Sequence, residues 1–240
     1  MSESKRKILT TSDHKGKKIV AILNDFSGSN LANKVCIDIG CGNGLILKEI
    51  SRYFKHSIGI EIDWALAHQA RIANLINTVS ILNGNGLQLP VKSESVDLIV
   101  CAQVYEHVND HNLLVNEIRR ILRPGGMCFF SGPNKLIIVE EHYWLPFLSW
   151  LPAPLANLYM RLFRRGARYD IHPLSYWKLR KLWNKFEFHD YTTALLKNPE
   201  TFFIDDHLRL SSYLSKLPLW LLRIFNPIIP NFNWILTKPR

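Results

Sequence analysis

The sequence predicts an α/β protein: a seven-stranded, mostly parallel sheet with helices on both faces. Three observations carry this. Short apolar runs alternate with segments of helical period through residue 131. The runs are apolar almost throughout, as strands buried on both faces are. The first run ends in an acidic residue followed by glycines at alternate positions, Val35-Cys36-Ile37-Asp38-Ile39-Gly40-Cys41-Gly42-Asn43-Gly44.

Residues 1–12 are expected to be disordered, and Asp13 to Phe26 reads as a helix with Ile19, Ile22, Leu23 and Phe26 on one face. Strands follow at Val35–Ile39, Ser57–Glu61, Val79–Asn83, Val96–Ala102 and Met127–Ser131. Helices are expected between them at Leu45–Phe54, Trp64–Asn74 and Asn109–Ile121. This order implies right-handed crossovers and parallel pairing. Beyond Pro133 aromatics, prolines and arginines crowd the chain. A regular pattern returns with a helix at Tyr176–Phe186 and strands at Glu187–Leu195 and Phe232–Thr237. The expected organisation is one domain over 1–240: a helical region at 1–32, a core at 33–134, and helical, aromatic-rich insertions at 135–175 and 197–230.

The formal net charge is +10, unevenly spread: +4 over residues 1–34, −1 over 35–132 and +7 over 133–240. A near-neutral centre with basic flanks suits an anionic partner at the periphery, such as a membrane surface. Cys36, Cys41, Cys101 and Cys128 lie in or beside strands without CxxC spacing, so they read as buried apolar residues in a reducing compartment. With no signal-peptide pattern and no apolar run of about 18 residues, a cytoplasmic protein with peripheral membrane contact is expected.

The glycines fall between a strand and a helix start, where open α/β sheets bind nucleotides. Glu61 closes the second strand 21 residues after Gly40, where a carboxylate can accept bonds from both ribose hydroxyls. Two further segments close later strands: Asn83-Gly84-Asn85-Gly86-Leu87-Gln88-Leu89-Pro90-Val91, and Gln103-Val104-Tyr105-Glu106-His107-Val108. Leu122-Arg123-Pro124-Gly125-Gly126 reads as a helix stop and turn without chemistry.

In this order the four segments resemble the class I S-adenosylmethionine-dependent methyltransferases, in the subgroup with ubiquinone- and menaquinone-pathway enzymes and a Rossmann-like sheet. The resemblance covers roughly residues 33–134. A pyridine-nucleotide dehydrogenase would want a small residue where Leu45 stands. The resemblance implies S-adenosyl-L-methionine as cofactor, held by Asp38, Gly40, Cys41, Gly42, Glu61, Ile62, Asn85, Gly86, Leu87 and Gln103. Asp38 would take the amino group, Glu61 the ribose and Ile62 the adenine face. Asn85 stands where the family usually has Asp; its amide oxygen can accept the same bond from the adenine amino group.

Some relatives acting on quinone precursors or RNA ends carry Glu-x-x-Glu-His after the fourth strand, and those carboxylates and imidazole bind a divalent cation that holds a substrate hydroxyl. Here Gln103 replaces the first Glu, while Glu106 and His107 remain and His142 could add a ligand. Losing a carboxylate lowers the attraction for a hard cation, so no metal site is expected. His107 is then the candidate general base for an oxygen nucleophile.

Two apolar sets stand out in the insertions: Trp144, Phe147, Trp150, Leu151, Leu158, Tyr159 and Phe163, bordered by Arg161, Arg164, Arg165 and Arg168; and Leu217 to Phe225. Such faces suit an interfacial helix, a lid over an apolar substrate or a dimer interface. The expected activity is methyl transfer to a small, apolar or lipid-linked acceptor, at oxygen before carbon, with no nucleic-acid partner favoured. RNA methylation, drawn from the charge, is an alternative; a catalytically silent binding protein is another.

Overall fold

The computed structural model describes residues 3–28, 31–73, 78–204 and 216–240, with side chains from His14 onward. Seven strands form one sheet in the order β3-β2-β1-β4-β5-β7-β6. They are β1 (Val35–Ile39), β2 (His56–Glu61), β3 (Val79–Asn83), β4 (Val96–Ala102), β5 (Leu122–Pro133), β6 (Glu187–Asp190) and β7 (Asn231–Thr237). The pairs β1–β2, β1–β4, β2–β3 and β4–β5 are parallel. β7 runs antiparallel to both β5 and β6.

Alternating side chains feed two cores, as the two-residue period of a strand requires. Ile37, Ile99, Cys101, Phe130 and Trp234 pack under α4 (His111–Ile121) and α6 (Tyr176–Leu182). Cys36, Leu98, Val100, Phe129 and Ile235 face α1 (Glu3–Ser27), α2 (Leu45–Ile50) and α3 (Trp64–Ala73). The four cysteines are free and buried, as expected of small apolar residues.

Several boundaries differ from expectation: β2, α4 and β7 start one or two residues away, the helix expected over Tyr176–Phe186 ends at Leu182, and four differences are larger or change the element's type. The first helix begins at Glu3 rather than Asp13; residues 3–12 hold no proline or glycine to interrupt it. β5 starts at Leu122, because Pro124-Gly125-Gly126 is absorbed as a register shift against Val96–Leu98 instead of ending the pairing. The expected helix Leu45–Phe54 is α-helical only to Ile50 and finishes as a 3₁₀ turn at Ser51–Tyr53. The expected strand Glu187–Leu195 stops at Asp190, whose carboxylate accepts from Thr192 N (2.9 Å) and Thr193 Oγ1 (3.0 Å). That side-chain turn starts α7 (Thr192–Lys197). The tail of the expected helix at Asn74, and residues 205–215 of the second insertion, lie outside the described residues.

Both insertions are helical. The first holds a 3₁₀ turn at Leu148–Trp150 and α5 (Ala153–Leu162) around a small core of Leu145, Leu148, Ala156 and Met160. The second contributes α8 (Leu219–Phe225). Buried Asn134, at the end of β5, donates to Pro227 O (2.8 Å) and Ile229 O (2.9 Å), so one side chain ties the two insertions together.

Candidate active site

The carboxyl ends of β1, β2, β3 and β4 surround a cleft of about 420 Å³. Gly40, Glu61, Ile62, Asn85, Gly86, Gln103 and His107 line it. Seven of the eleven residues expected at the site are thus brought to one wall-to-wall space. The glycines keep it open: Gly40 has φ +68 and its missing Cβ would sit 2.6 Å from Val104 Cγ2. A Cβ on Gly86 would meet Ile39 Cγ2 at 2.9 Å.

Glu61 is buried and ties two loops. Its Oε2 accepts from Gly42 N (2.8 Å) and its Oε1 from Asp63 N (2.9 Å). A carboxylate offers about four acceptor positions, so sites remain for two ribose hydroxyls. Asn83, which sequence reasoning missed, donates to Glu61 O (2.8 Å) and Ile62 O (3.0 Å) and fixes the end of β2. The loop after β3 is clamped from α4: Arg120 donates to Leu89 O and Val91 O, and Glu117 accepts from Leu89 N at 2.7 Å. Asn85 Oδ1 accepts from Leu87 N (2.9 Å), which shapes the loop and leaves the oxygen's second lone pair for the bond expected from adenine.

Asp38, Cys41, Gly42 and Leu87 stand behind the lining. Cys41 Sγ packs inward, against the space a Gly59 side chain would fill, leaving only its backbone for a ligand. Leu87 packs against the core under α4. Asp38 is buried, and burial with the nearby Glu61 charge pushes its carboxyl up to about 8.

On the far side of Gln103, the 3₁₀ turn Tyr105–His107 is held by the Tyr105 hydroxyl, which donates to Pro133 O and accepts from Leu174 N (3.1 Å). It presents Glu106 and His107 to the first insertion, whose His142 ring meets His107 edge-on with centroids 5.0 Å apart. Glu106, His107 and His142 each place a ligand atom within 4.8 Å of the others. Glu106 is fully buried and neither carboxylate oxygen has a hydrogen-bond partner. Burial pushes its carboxyl up to about 7. Burial and the neighbouring His142 lower the pKa of His107, whereas the bond to Glu140 raises that of His142. Glu140 was not legible as a site residue. Its buried carboxylate accepts from His142 N (2.9 Å) and Tyr143 N (2.7 Å) and bonds His142 Nδ1 (2.7 Å). This buried carboxylate without a hydrogen-bond partner lies beside two imidazoles, a donor set able to hold a divalent cation, at the place where the neutral Gln103 led to the expectation of no metal site.

A family model described as a methyltransferase domain matches residues 37–130. The chain is 27% identical over 152 residues to a ubiquinone biosynthesis O-methyltransferase of Neisseria meningitidis, covering 54% of this chain and 63% of the other. It is 30% identical over 108 residues to the protein of that name from Hahella chejuensis, covering 44% and 45%. The chain spans about half the length of the curated relatives it matches. Among solved structures, an S-adenosylmethionine-dependent methyltransferase from Mesorhizobium loti superposes with TM-score 0.58 at 14% identity, over 87% of this chain and 92% of that one. Over residues 37–130 the glycine loop, the Glu61 tie, the strand order and these matches are those of a methyltransferase domain of the class I S-adenosylmethionine-dependent kind.

Proposed function

We propose that this chain transfers the methyl group of S-adenosylmethionine to an oxygen of an apolar or lipid-linked small molecule, taken from the surface of an anionic membrane. The cofactor supplies a methyl group already activated on a sulfonium. The protein's task is alignment and exclusion of water. Glu61 and Asn85 orient the nucleoside, and Asp38 receives the amino group. His107, whose pKa is lowered by burial and by His142 so that the neutral ring is favoured, stands in the cleft wall as proton acceptor for a substrate hydroxyl.

The observation that carries the acceptor class is the apolar face left exposed by the insertion that delivers His142. Trp144, Phe147, Leu155, Leu158, Leu162 and Phe163 are exposed, next to Arg161, Arg164, Arg165 and Arg168. Apolar side chains edged by guanidinium groups suit the headgroup region of anionic lipid. Among the described residues no helix is long and apolar enough to cross a membrane. The name ubiquinone biosynthesis O-methyltransferase, borne by relatives at low identity, supports oxygen as the acceptor atom. In a test with radiolabelled methyl donor and total lipid extract, label is expected in the organic phase. Flotation with phosphatidylglycerol liposomes at low salt is expected to carry the protein, and Arg161→Glu with Arg165→Glu to cut that binding at least about fivefold. Label in RNA instead, or indifference to liposomes, overturns this reading of the acceptor.

The cofactor reading also predicts a proton. Because the folded pKa of Asp38 lies above its ordinary value, ionising it costs stability. Its contribution is complete below about pH 4 and is lost as pH rises through about 8. A bound ammonium group reverses that preference. Titration with S-adenosylmethionine at pH 7, in buffers of different ionisation enthalpy, is expected to show release of up to one proton. Asp38→Asn is expected to abolish the release and weaken binding; an unchanged release removes Asp38 from the cofactor site.

A further inference from the structure

We propose that Lys15 and Lys18 of α1 form an anion-binding subsite in a second cavity beside the cleft, and that the methyl acceptor carries one singly charged anionic group that docks there. The proposal rests on the methyltransferase reading only for the ligand's task as acceptor; anion binding itself is read from the lining. The cavity measures about 230 Å³. Gln103 lines both it and the cleft, so the two spaces meet at that residue. Gln103 is held there in a left-handed conformation, φ 59, with its N–H donating to Ser131 O at 2.8 Å. Ile19, Ile46 and Phe129 supply apolar lining. Sites that enclose a whole drug-sized ligand run to roughly 300–1,000 Å³, so this one suits a single ring or headgroup.

The charge comes from one face of α1, where Lys15, Lys18 and Ile19 stand three and four residues apart. Gly16 lets α1 come close to α2: a Cβ there would lie 2.7 Å from Glu49 Cβ. The Glu49 carboxylate is engaged elsewhere, by Arg52 at 2.9 Å. Among the described residues neither lysine has an ion-pair partner. Glu141, the acid of the lining, acts on Lys18 from beyond ion-pair distance. Desolvation and the Lys15 charge lower the Lys18 pKa to about 8, with Glu141 opposing, so a bound anion would relieve both causes. Two ammonium groups against one carboxylate leave a single positive charge, which a carboxylate-like ligand balances and a dianion exceeds. Ser131 Oγ donates to Asn231 Oδ1 (3.3 Å), which leaves the Asn231 amide nitrogen as a neutral donor in the same lining. An acceptor anchored here by its charge presents its other end at Gln103, where the cleft that holds His107 begins.

The test uses the full chain, with and without S-adenosylhomocysteine, titrated calorimetrically at pH 7 with benzoate, its neutral analogue benzamide, and phenyl phosphate. Benzoate is expected to bind at least about tenfold more tightly than benzamide, the worth of one charge-assisted hydrogen bond, and more tightly than phenyl phosphate. Lys18→Met keeps the stem and a good helix former and is expected to abolish the preference for benzoate, whereas Lys18→Arg retains it. Glu141→Gln, at an exposed position, is expected to tighten benzoate about two- to fivefold by removing a like charge; a lysine with a purely structural task would give no such gain. Equal affinity for benzoate and benzamide, no benzoate binding at all, or a preference that survives Lys18→Met overturns the subsite, and phenyl phosphate binding as tightly as benzoate overturns the singly charged ligand. The same samples separate the two readings. Binding of S-adenosylhomocysteine without an anion preference refutes the subsite alone, and an anion preference without that binding refutes the methyltransferase reading alone.

Discussion

Glu61→Ala is expected to reduce affinity for S-adenosylmethionine by at least about 100-fold, since each hydrogen bond to a charged group is worth roughly 1.5–3 kcal/mol. The carboxylate does two things at once. It receives Gly42 N and Asp63 N, so it locks the glycine loop to the turn after β2. Its remaining acceptor positions are the ones that face the cleft. Alanine loses the lock and the ligand contact together. Glu61→Gln keeps one oxygen and is expected to fall between wild type and alanine. Calorimetric titration of the three proteins checks the order; equal affinities would remove Glu61 from the site. Circular dichroism should show all three folded, because the backbone of β2 is held independently by β1, β3 and Asn83.

Gly40→Ala is expected to be the most damaging single methyl group in the site. Its φ of +68 costs an L-residue roughly 1–2 kcal/mol. Its Cβ would lie 2.6 Å from Val104 Cγ2, and overpacking of that kind costs about 1–3 kcal/mol. The backbone cannot step aside freely, since Gly40 N donates to Ile60 O at 2.8 Å. A loss of roughly 2–5 kcal/mol lowers the melting temperature by several degrees in a chain of this size. Cofactor binding should be lost as well, because the displaced Val104 also lines the cleft. Gly42 is the control: its φ is +56, but nothing lies within 4 Å of its missing Cβ. Gly42→Ala should therefore show backbone strain alone, and Gly40→Ala with Val104→Ala should recover part of the stability. Equal melting temperatures for Gly40→Ala and Gly42→Ala would refute the steric argument.

The sheet was legible where local and tertiary signals agree. Val35–Ile39, Val79–Asn83 and Val96–Ala102 are apolar runs bounded by turn residues, and the strands begin and end there. Tyr191-Thr192-Thr193 misled because β-branched residues favour strands, whereas the Asp190 side chain captured their donors and turned the chain into α7. At the site, Gly40, Glu61, Asn85 and His107 announce themselves by residue type at the end of a strand. Glu140 does not: its importance comes from a long insertion folding back over Glu106, and no local spacing records that. The same holds for Asn83 and Arg120, whose roles are hydrogen bonds to backbone carbonyls across the sheet or from a helix. Asn85 shows a finer limit. Its amide can stand in for a carboxylate at adenine, but only the structure reveals that Leu87 N already takes one of its oxygen's two lone pairs.

The most direct test of the central claim is calorimetric titration of the wild-type chain with S-adenosylmethionine and S-adenosylhomocysteine. Binding of both at one site per chain, with affinity in the micromolar range and release of a proton from Asp38, is the predicted result. Well-folded protein that binds neither would contradict the assignment of the cleft between Gly40 and Gly86 as a cofactor site.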